Sequence, residues 1–211
     1  MLAIVPLILG PVATNAYLMA DPDTGAAAVI DPAWDGHLIS AEARRHNYQI
    51  GQIWITHAHF DHIGGAGDLI GELDKTPVIA LHPDDRLLWD AQGEAALFGF
   101  SLPASPAPTL DLAHGMDLRL GCTIFKVLHT PGHTPGHCVF YCAQAGVCFC
   151  GDLIFQNSVG RTDLPGGDWE TLETSIRSQI YSLPDETRLL PGHGPETTVG
   201  KEKNRNPFVQ V

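Results

Sequence analysis

The chain has 211 residues, of which 44% are hydrophobic, so it is long enough for one substantial core and too apolar to be disordered. Its 12 basic and 24 acidic residues give a formal net charge of -12. This charge argues against a nucleic-acid partner, which needs Lys and Arg to neutralise its phosphates, and against an anionic membrane surface. No run reaches the roughly eighteen apolar residues that a membrane span requires.

The apolar N-terminus lacks the basic segment of a signal peptide, and Pro6, Gly10, Pro11 and Asn15 interrupt it. We therefore interpret it as two short strands joined by a Gly-Pro turn rather than as a leader. The five cysteines are odd in number, and several lie in strand-like apolar runs, where free Cys behaves as a small buried hydrophobe. A disulfide framework is disfavoured, and we expect a cytoplasmic protein.

The pattern of apolar and turn residues predicts a mixture of strands and helices along the first half. The predicted strands cover residues 2–9, 15–20, 26–30, 52–55 and 78–81, and the predicted helices cover 37–47, 64–73 and 84–91. Residues 93–109 are rich in Ala, Gly and Pro, and we predict a loop there.

The second half repeats the first in outline. The predicted strands cover residues 116–120, 123–129, 138–142, 147–150 and 188–190, and an amphipathic helix is predicted over 169–183. Strands followed by helices, twice over, predict an α/β fold of two sheets packed face to face with helices outside. We expect a single domain over residues 1–211, with pseudo-repeated halves of about 1–105 and 106–211.

The stretch from Thr56 to His62 holds three histidines and one aspartate, directly after the apolar run 53–55. Neutral imidazole is the commonest metal ligand in proteins, and carboxylates suit hard or borderline cations. In an extended chain His57 and His59 point the same way and can hold one ion. Asp61 and His62 follow in a turn and can reach a second ion.

Further candidate ligands follow later predicted strands. Thr130-Pro131-Gly132-His133, Gly151-Asp152 and Gly192-His193-Gly194 each come directly after a strand, and glycine lets the backbone approach an ion closely. Each signal is weak alone, because an isolated Gly-His or Gly-Asp is usually a turn. Their order and their shared position after strands together indicate a metal centre at one edge of the sheets.

These motifs together resemble those of a known family. T-H-A-H-F-D-H-I-G-G, T-P-G-H-T-P-G-H, C-G-D-L-I-F and P-G-H-G, in this order, are similar to the metallo-β-lactamase fold superfamily, and within it to the glyoxalase II (hydroxyacylglutathione hydrolase) group. The segment 160–168 resembles the compact bacterial members. The resemblance covers nearly the whole chain, and it implies a four-layer αββα sandwich with a dinuclear metal centre.

The resemblance also assigns the ligands position by position. It implies that His57, His59 and His133 hold the first ion, that Asp61, His62 and His193 hold the second, and that Asp152 bridges them. Zinc fits this ligand set, and iron or manganese could substitute. His59 disfavours an oxygen-reducing di-iron pair, since such relatives typically carry Glu there.

The implied chemistry is hydrolysis of a small-molecule thioester, in which two ions lower the pKa of a shared water and polarise the acyl carbonyl. Asp61 and Asp152 would act as catalytic groups that orient the nucleophile as well as binding metal. His129, His137 and Asp31 are candidates for orienting the ligand histidines. We interpret His37, His46, His82 and His114 as surface or helix residues.

The chain departs from full-length glyoxalase II after His193, where only eighteen residues remain in place of a helical domain that helps to hold glutathione. The resemblance implies a hydroxyacyl-glutathione such as S-lactoylglutathione as the substrate, and this departure at the tail leaves the thiol carrier open. Arg161 and Lys201 are candidate contacts for an anionic substrate, with a salt bridge or a solvated surface as their alternatives.

Three other functions stay open. The scaffold also resembles mononuclear iron persulfide dioxygenases, and the same hydroxide would serve a lactonase or esterase. A metal-stabilised binding module is the non-enzymatic alternative, disfavoured because every ligand position is filled. The sequence leaves the oligomeric state undetermined.

Overall fold

Two six-stranded mixed sheets form the centre of the protein, whose computed structural model describes residues 2–210. The first sheet has the order β1 (Ala3–Leu9), β2 (Thr14–Ala20), β3 (Ala26–Ile30), β4 (Gln49–Trp54), β5 (Val78–Leu81) and β6 (Leu110–Asp111). Strands β1 to β3 pair antiparallel, and β3 to β6 pair parallel. The two N-terminal strands confirm the hairpin predicted for the apolar N-terminus.

The second sheet is built from the later part of the chain. Its strands are β7 (Asp117–Leu120), β8 (Thr123–His129), β9 (Cys138–Cys142), β10 (Val147–Gly151), β13 (Arg188–Pro191) and β14 (Thr197–Thr198), in the spatial order β14-β13-β10-β9-β8-β7. Strands β10 and β13 are parallel, and the other neighbours are antiparallel. A two-stranded ribbon, β11 (Ile154–Phe155) with β12 (Ser158–Val159), lies outside it.

The described part of the chain also contains six α-helices: α1 (Gly36–Arg45), α2 (Phe60–Ile63), α3 (Ala66–Gly71), α4 (Arg86–Asp90), α5 (Trp169–Ser175) and α6 (Val199–Arg205). The side chains of Asp168 and Thr198 cap α5 and α6 by accepting hydrogen bonds from the backbone N–H groups of Thr171 and Lys201.

Three hydrophobic cores separate four layers. Side chains alternate between the faces of a strand, so Leu18 of β2 lies in the core under α1 and α3, whereas Met19 lies in the core between the sheets. Trp54 lies in that central core, and its ring packs edge-on against Phe125 with centroids 5.0 Å apart. The third core joins the second sheet to α5 and α6. This αββα sandwich is the predicted architecture.

The structure differs from the predicted elements in two segments. Residues 93–109 were expected to be a loop, but Gln92–Phe98 forms a 3-10 segment interrupted by the left-handed backbone of Gly93 and Glu94. The helix expected over 169–183 is α-helical only to Ser175, continues as a π-helix over Ile176–Ile180, and ends there. An apolar stripe in the sequence indicates which face of a helix is buried, but it does not distinguish an α-helix from a π-helix.

The division into one domain with two halves stays a prediction, although the first sheet extends past the expected boundary to Asp111. In the described residues, no helix is long and apolar enough to cross a bilayer.

The five cysteines should differ sharply in reactivity. Cys122 is exposed, whereas Cys138, Cys142, Cys148 and Cys150 are buried, and burial raises the pKa of the thiols of Cys138, Cys142 and Cys150. Since the thiolate is the reactive form, a disulfide reagent at pH 8 should label one thiol rapidly and the other four only after unfolding. Mass spectrometry of the labelled peptides tests this, and Cys122→Ser should abolish the rapid phase. Rapid modification of two or more thiols would contradict the packing.

Candidate metal centre

The seven predicted ligands lie together at one edge of the sandwich. His57, His59, Asp61 and His62 follow β4, His133 follows β8, Asp152 follows β10 and His193 follows β13. Backbone hydrogen bonds join the two sheets here, because Asn15 N–H donates to Gly192 O at 2.7 Å and Cys138 N–H donates to Thr56 O at 2.8 Å. The edge that carries the ligands is therefore a structural joint between the sheets.

His57, His59 and His133 form the first group. His133 Nε2 lies 2.9 Å from His59 Nδ1 and 3.2 Å from His57 Nε2. All three side chains are buried. One nitrogen of each ring therefore points to a common centre.

Asp61, His62 and His193 form the second group. Asp61 Oδ2 lies 3.0 Å from His193 Nε2 and 3.4 Å from His62 Nε2. His62 is fully buried on the short helix α2, and its ring centroid lies 4.0 Å from that of His57 in the first group. His193 is the most exposed of the three, with 30% of its side chain accessible, so this group faces solvent.

Asp152 lies between the two groups. Its Oδ1 is 3.3 Å from His62 Nε2, and its Oδ2 is 3.6 Å from His193 Nε2 and 3.7 Å from His133 Nε2. One carboxylate thus reaches ligands of both groups, as the predicted bridge requires.

In three of the rings, the outer nitrogen, which is the one that faces away from the other ligands, has a protein partner that sets the tautomer. Thr56 Oγ1 donates to Asp31 Oδ2 at 2.6 Å, so it accepts from His57 Nδ1 at 3.0 Å. Asp31 Oδ2 also accepts from His62 Nδ1 at 2.9 Å. With the outer nitrogen protonated, the neutral form of each ring presents a lone pair at its inner Nε2, and this neutral form is the one that binds a cation.

His133 is oriented in the same way by backbone. Its Nδ1 donates to the carbonyl oxygen of Arg161 at 2.7 Å, leaving Nε2 unprotonated toward His57 and His59.

The electrostatics differ between the groups. Burial and the neighbouring imidazoles lower the pKa of His57, and they lower that of His59 to about 3. Burial also lowers the pKa of His133, so all three histidines of the first group are neutral. Burial also disfavours the charged form of His62, but the carboxylates of Asp152 and Asp61 outweigh burial and raise its pKa. The same pairing lowers the pKa of Asp152 against the effect of its burial. Both carboxylates are therefore ionised at neutral pH.

These residues fit a pair of divalent cations. Facing lone pairs on three buried imidazoles repel one another, and a shared cation removes that repulsion. Tetrahedral zinc with nitrogen ligands at about 2.0–2.1 Å holds them about 3.3 Å apart, close to the spacing found here. In the described residues, His62 Nε2 and Asp152 Oδ1 are buried without a hydrogen-bond partner, as expected for atoms that bind metal. His59 Nε2, the ring nitrogen that does not face His133, is also buried without a partner. The ligand assignment itself remains a prediction.

Gly192 shows how closely the backbone approaches this centre. A Cβ atom there would lie 2.3 Å from Asp152 Oδ1 and 2.5 Å from His62 Cε1. Any side chain at this position would displace the ligands, which accounts for the glycine of the Pro191-Gly192-His193 motif.

The two candidate substrate contacts lie apart from these groups. The Arg161 guanidinium forms a bidentate salt bridge with Asp163, at 2.7 and 2.9 Å, on the surface. Lys201 is exposed in the first turn of α6. Within residues 2–210, neither side chain forms a hydrogen bond or salt bridge to the clustered ligands, so their roles in substrate binding remain predictions.

The three residues predicted to orient the ligand histidines differ in what they contact. Asp31 contacts His62 directly, and His137 Nε2 accepts from Asp152 N–H at 3.2 Å. His129 instead stacks on His82, with centroids 4.0 Å apart and an interplanar angle of 7°. The interpretation of His82 as a surface residue was wrong, since it is 9% exposed and packs at the end of β5.

Two polar residues of this edge carry no local sequence signal. Thr14 Oγ1 donates to Asp61 Oδ2 at 3.0 Å across 47 positions of the chain. Asp85 is a buried carboxylate that accepts from Ala58 N–H at 3.0 Å across 27 positions. Only the folded arrangement identifies such partners.

Fold and metal centre together define a class of metal-dependent enzyme, and comparison with known proteins identifies it. The sequence profile of the Metallo-beta-lactamase superfamily matches residues 9–193. The chain belongs to this superfamily of metallo-hydrolases, and divalent metal binding follows from membership and from the clustered His and Asp groups.

Two relatives match almost end to end. The chain is 39% identical to the probable metallo-hydrolase YqgX of Bacillus subtilis, over 95% of this chain and 94% of the relative. It is 36% identical to the hydroxyacylglutathione hydrolase GloC of Haemophilus influenzae, over 92% of each. The chain therefore has the length of these compact relatives.

Solved structures agree with this placement. The BLEG-1 B3 metallo-β-lactamase superposes with a TM-score of 0.92 at 35% identity, covering 99% of this chain and all of that one. TTHA1623 in a di-iron-bound form gives 0.88 at 41% identity, covering 97% and 100%. ETHE1 from Myxococcus xanthus gives 0.79 at 26% identity, covering 97% and 83%.

The lowered pKa of His59 predicts a pH dependence of the metal-free protein. A histidine with a pKa near 3 when folded and 6.5 when unfolded binds protons preferentially in the unfolded chain below pH 6.5. Its contribution to stability is thus complete above pH 6.5 and falls as the pH decreases. Chelator-treated wild type should lose about 2 kcal/mol more of its free energy of unfolding between pH 7 and pH 5 than His59→Gln. Equal losses in denaturant titrations of the two proteins would refute the shift.

Proposed function

We propose that this protein hydrolyses thioesters, with a hydroxyacyl-glutathione such as S-lactoylglutathione as its substrate. The supporting observation is the pair of ligand groups that share Asp152, a site suited to two divalent cations. The 36% identity to GloC over nearly the full length of both chains supports the substrate class.

Two bound cations supply Lewis acidity, which lowers the pKa of water toward neutrality and polarises an acyl carbonyl. The carboxylates of Asp61 and Asp152 are ionised and face the space between the two groups, so they can accept hydrogen bonds from the attacking water and orient it. Thr14 holds Asp61 in that orientation by donating to its Oδ2.

The leaving group explains why a thioester suits this centre. A thiolate leaves without prior protonation, so no general acid is needed. Cys150, near Asp152 in sequence, is fully buried, and burial raises the pKa of its thiol, which makes it unsuitable as a nucleophile. The nucleophile is therefore water, and Asp61 and Asp152 are the catalytic residues of the proposal.

Zinc is the proposed metal, because three histidines in one group and two histidines with a carboxylate in the other match its preferred ligands. Iron or manganese can occupy the same ligands. The proposed location is the cytoplasm, where the five free cysteines stay reduced.

Persulfide dioxygenation with a single iron is the second candidate. The likeness to ETHE1, at 26% identity, supports this alternative, and the di-iron form of TTHA1623 shows that a similar protein binds iron. Against it stands the complete second ligand group, which a mononuclear enzyme does not need.

Substrate and metal assays on the same preparations decide between these candidates. Protein stripped of metal and reloaded with zinc or iron should bind two ions per chain and hydrolyse S-lactoylglutathione faster than a simple lactone or a β-lactam. Asp152→Asn should lower kcat/KM by at least about 100-fold, since a charged ligand of both ions is lost. Oxygen uptake on glutathione persulfide with one iron per chain would instead establish the dioxygenase. Glu173→Gln, a surface carboxylate on α5, is the matched control and should keep full activity.

Arg161 is the proposed contact for a carboxylate of the substrate. Arg161→Ala should raise KM for S-lactoylglutathione about fivefold with kcat unchanged, the effect of losing one exposed ion pair. Asp163→Ala frees the guanidinium and should not raise KM. Arg177→Ala is the control, because it removes a comparable surface salt bridge, that between Arg177 and Glu173, on the π-helical segment that follows α5. An unchanged KM in Arg161→Ala would assign Arg161 a structural role only.

A further inference from the structure

Asp85 is a buried carboxylate that takes no part in the metal centre described above. It lies at the end of the short 3-10 turn Pro83–Asp85, directly after β5, and is 1% exposed. A buried charge is costly unless it is fully hydrogen-bonded, so its partners indicate its role.

Three donors surround this carboxylate. Asp85 Oδ2 accepts from Ala58 N–H at 3.0 Å and from the Thr134 hydroxyl at 2.8 Å. Asp85 Oδ1 accepts from Gly136 N–H at 2.7 Å. All three are donors to an acceptor-only group, which is why an ionised aspartate fits this position.

These donors belong to the two loops that carry the first metal group. Ala58 lies between His57 and His59, and Thr134 directly follows His133. The partners of Asp85 do not include Asp61, His62 or His193. One carboxylate from a third loop therefore ties together the segments next to all three histidines of the first group, and it contacts no side chain of the second group.

Packing at the same place supports this arrangement. A Cβ atom on Gly136 would come within 2.7 Å of Asp85 Cγ, so glycine is needed for the close approach. The stacked rings of His82 and His129 join the turn that carries Asp85 to the end of β8, and His129 Nε2 donates to Pro135 O at 2.8 Å in the loop of His133.

We infer that Asp85 is a positioning residue for the first metal ion, holding His57, His59 and His133 at the spacing that binds a cation. This inference depends on the metal-binding role of these histidines and not on which substrate is hydrolysed. A failure of the thioesterase proposal would leave it intact.

Asp85→Asn is the direct test, because it keeps the shape and replaces one acceptor oxygen by a donor. In either orientation of the amide, its NH2 group faces the N–H of Ala58 or of Gly136. Competition with a chelator should show that one of the two zinc-binding steps is weakened by about 10–100-fold, which is the usual effect of losing a group that orients a metal ligand. The affinity of the other step should change by less than about threefold. Amide exchange of Ala58 and Gly136 in the metal-free variant should be faster than in wild type.

Three further variants identify the step and control for charge. Asp90→Asn makes the same change of charge at an exposed residue of α4 and should change neither step. Asp61→Asn should weaken the step that Asp85→Asn leaves unchanged, which assigns the two steps to the two groups. Thr134→Val removes one donor while leaving the carboxylate, and it should weaken the same step as Asp85→Asn by about fivefold.

Equal weakening of both steps by Asp85→Asn, or no weakening of either, would overturn the inference. Should Asp85→Asn fail to fold, Thr134→Val decides by itself, and unchanged zinc affinities in that variant would equally overturn it.

Discussion

Three neutral imidazoles converge here, with His133 Nε2 lying 2.9 Å from His59 Nδ1 and 3.2 Å from His57 Nε2, and the rest of this structure depends on that constraint. The rings come from loops 76 positions apart in the chain, and each loop leaves a strand of a different sheet. Both sheets must therefore end at the same edge and in a fixed relation. The sandwich, with its central core around Trp54, supplies that relation.

The two groups of candidate ligands around this centre differ in charge and in exposure to solvent. The first group is neutral and buried, and hydrogen bonds from the outer nitrogens of His57 and His133 position two of its three rings. The second group and Asp152 carry the ionised carboxylates, and His193 opens that side to solvent. This asymmetry places the charged groups on the side that solvent reaches, and it agrees with the membership of a hydrolase superfamily.

Much of this was predictable because the information is local. The strands over residues 26–30, 78–81, 123–129 and 138–142 have the predicted bounds, since alternation and turn residues mark their ends. The seven candidate ligands, which the structure brings together, were predictable because each follows a strand in a short motif. Asp85 and Thr14 could not be found in this way, because their partners lie 27 to 51 positions away and neither motif nor periodicity marks them. The π-helix after Ser175 was missed for a different reason, since its apolar stripe is the same as that of an α-helix.

The origin of the ligands in both sheets has a thermodynamic consequence. Because His57 and His59 belong to one sheet and His133 to the other, the free energy of cation binding is available only when both sheets are folded and docked. A bound ion therefore acts as a non-covalent cross-link between regions distant in sequence, and it opposes separation of the two layers as well as unfolding of either. In a chain with five free thiols, this cross-link takes the place that a disulfide would hold in an oxidising environment.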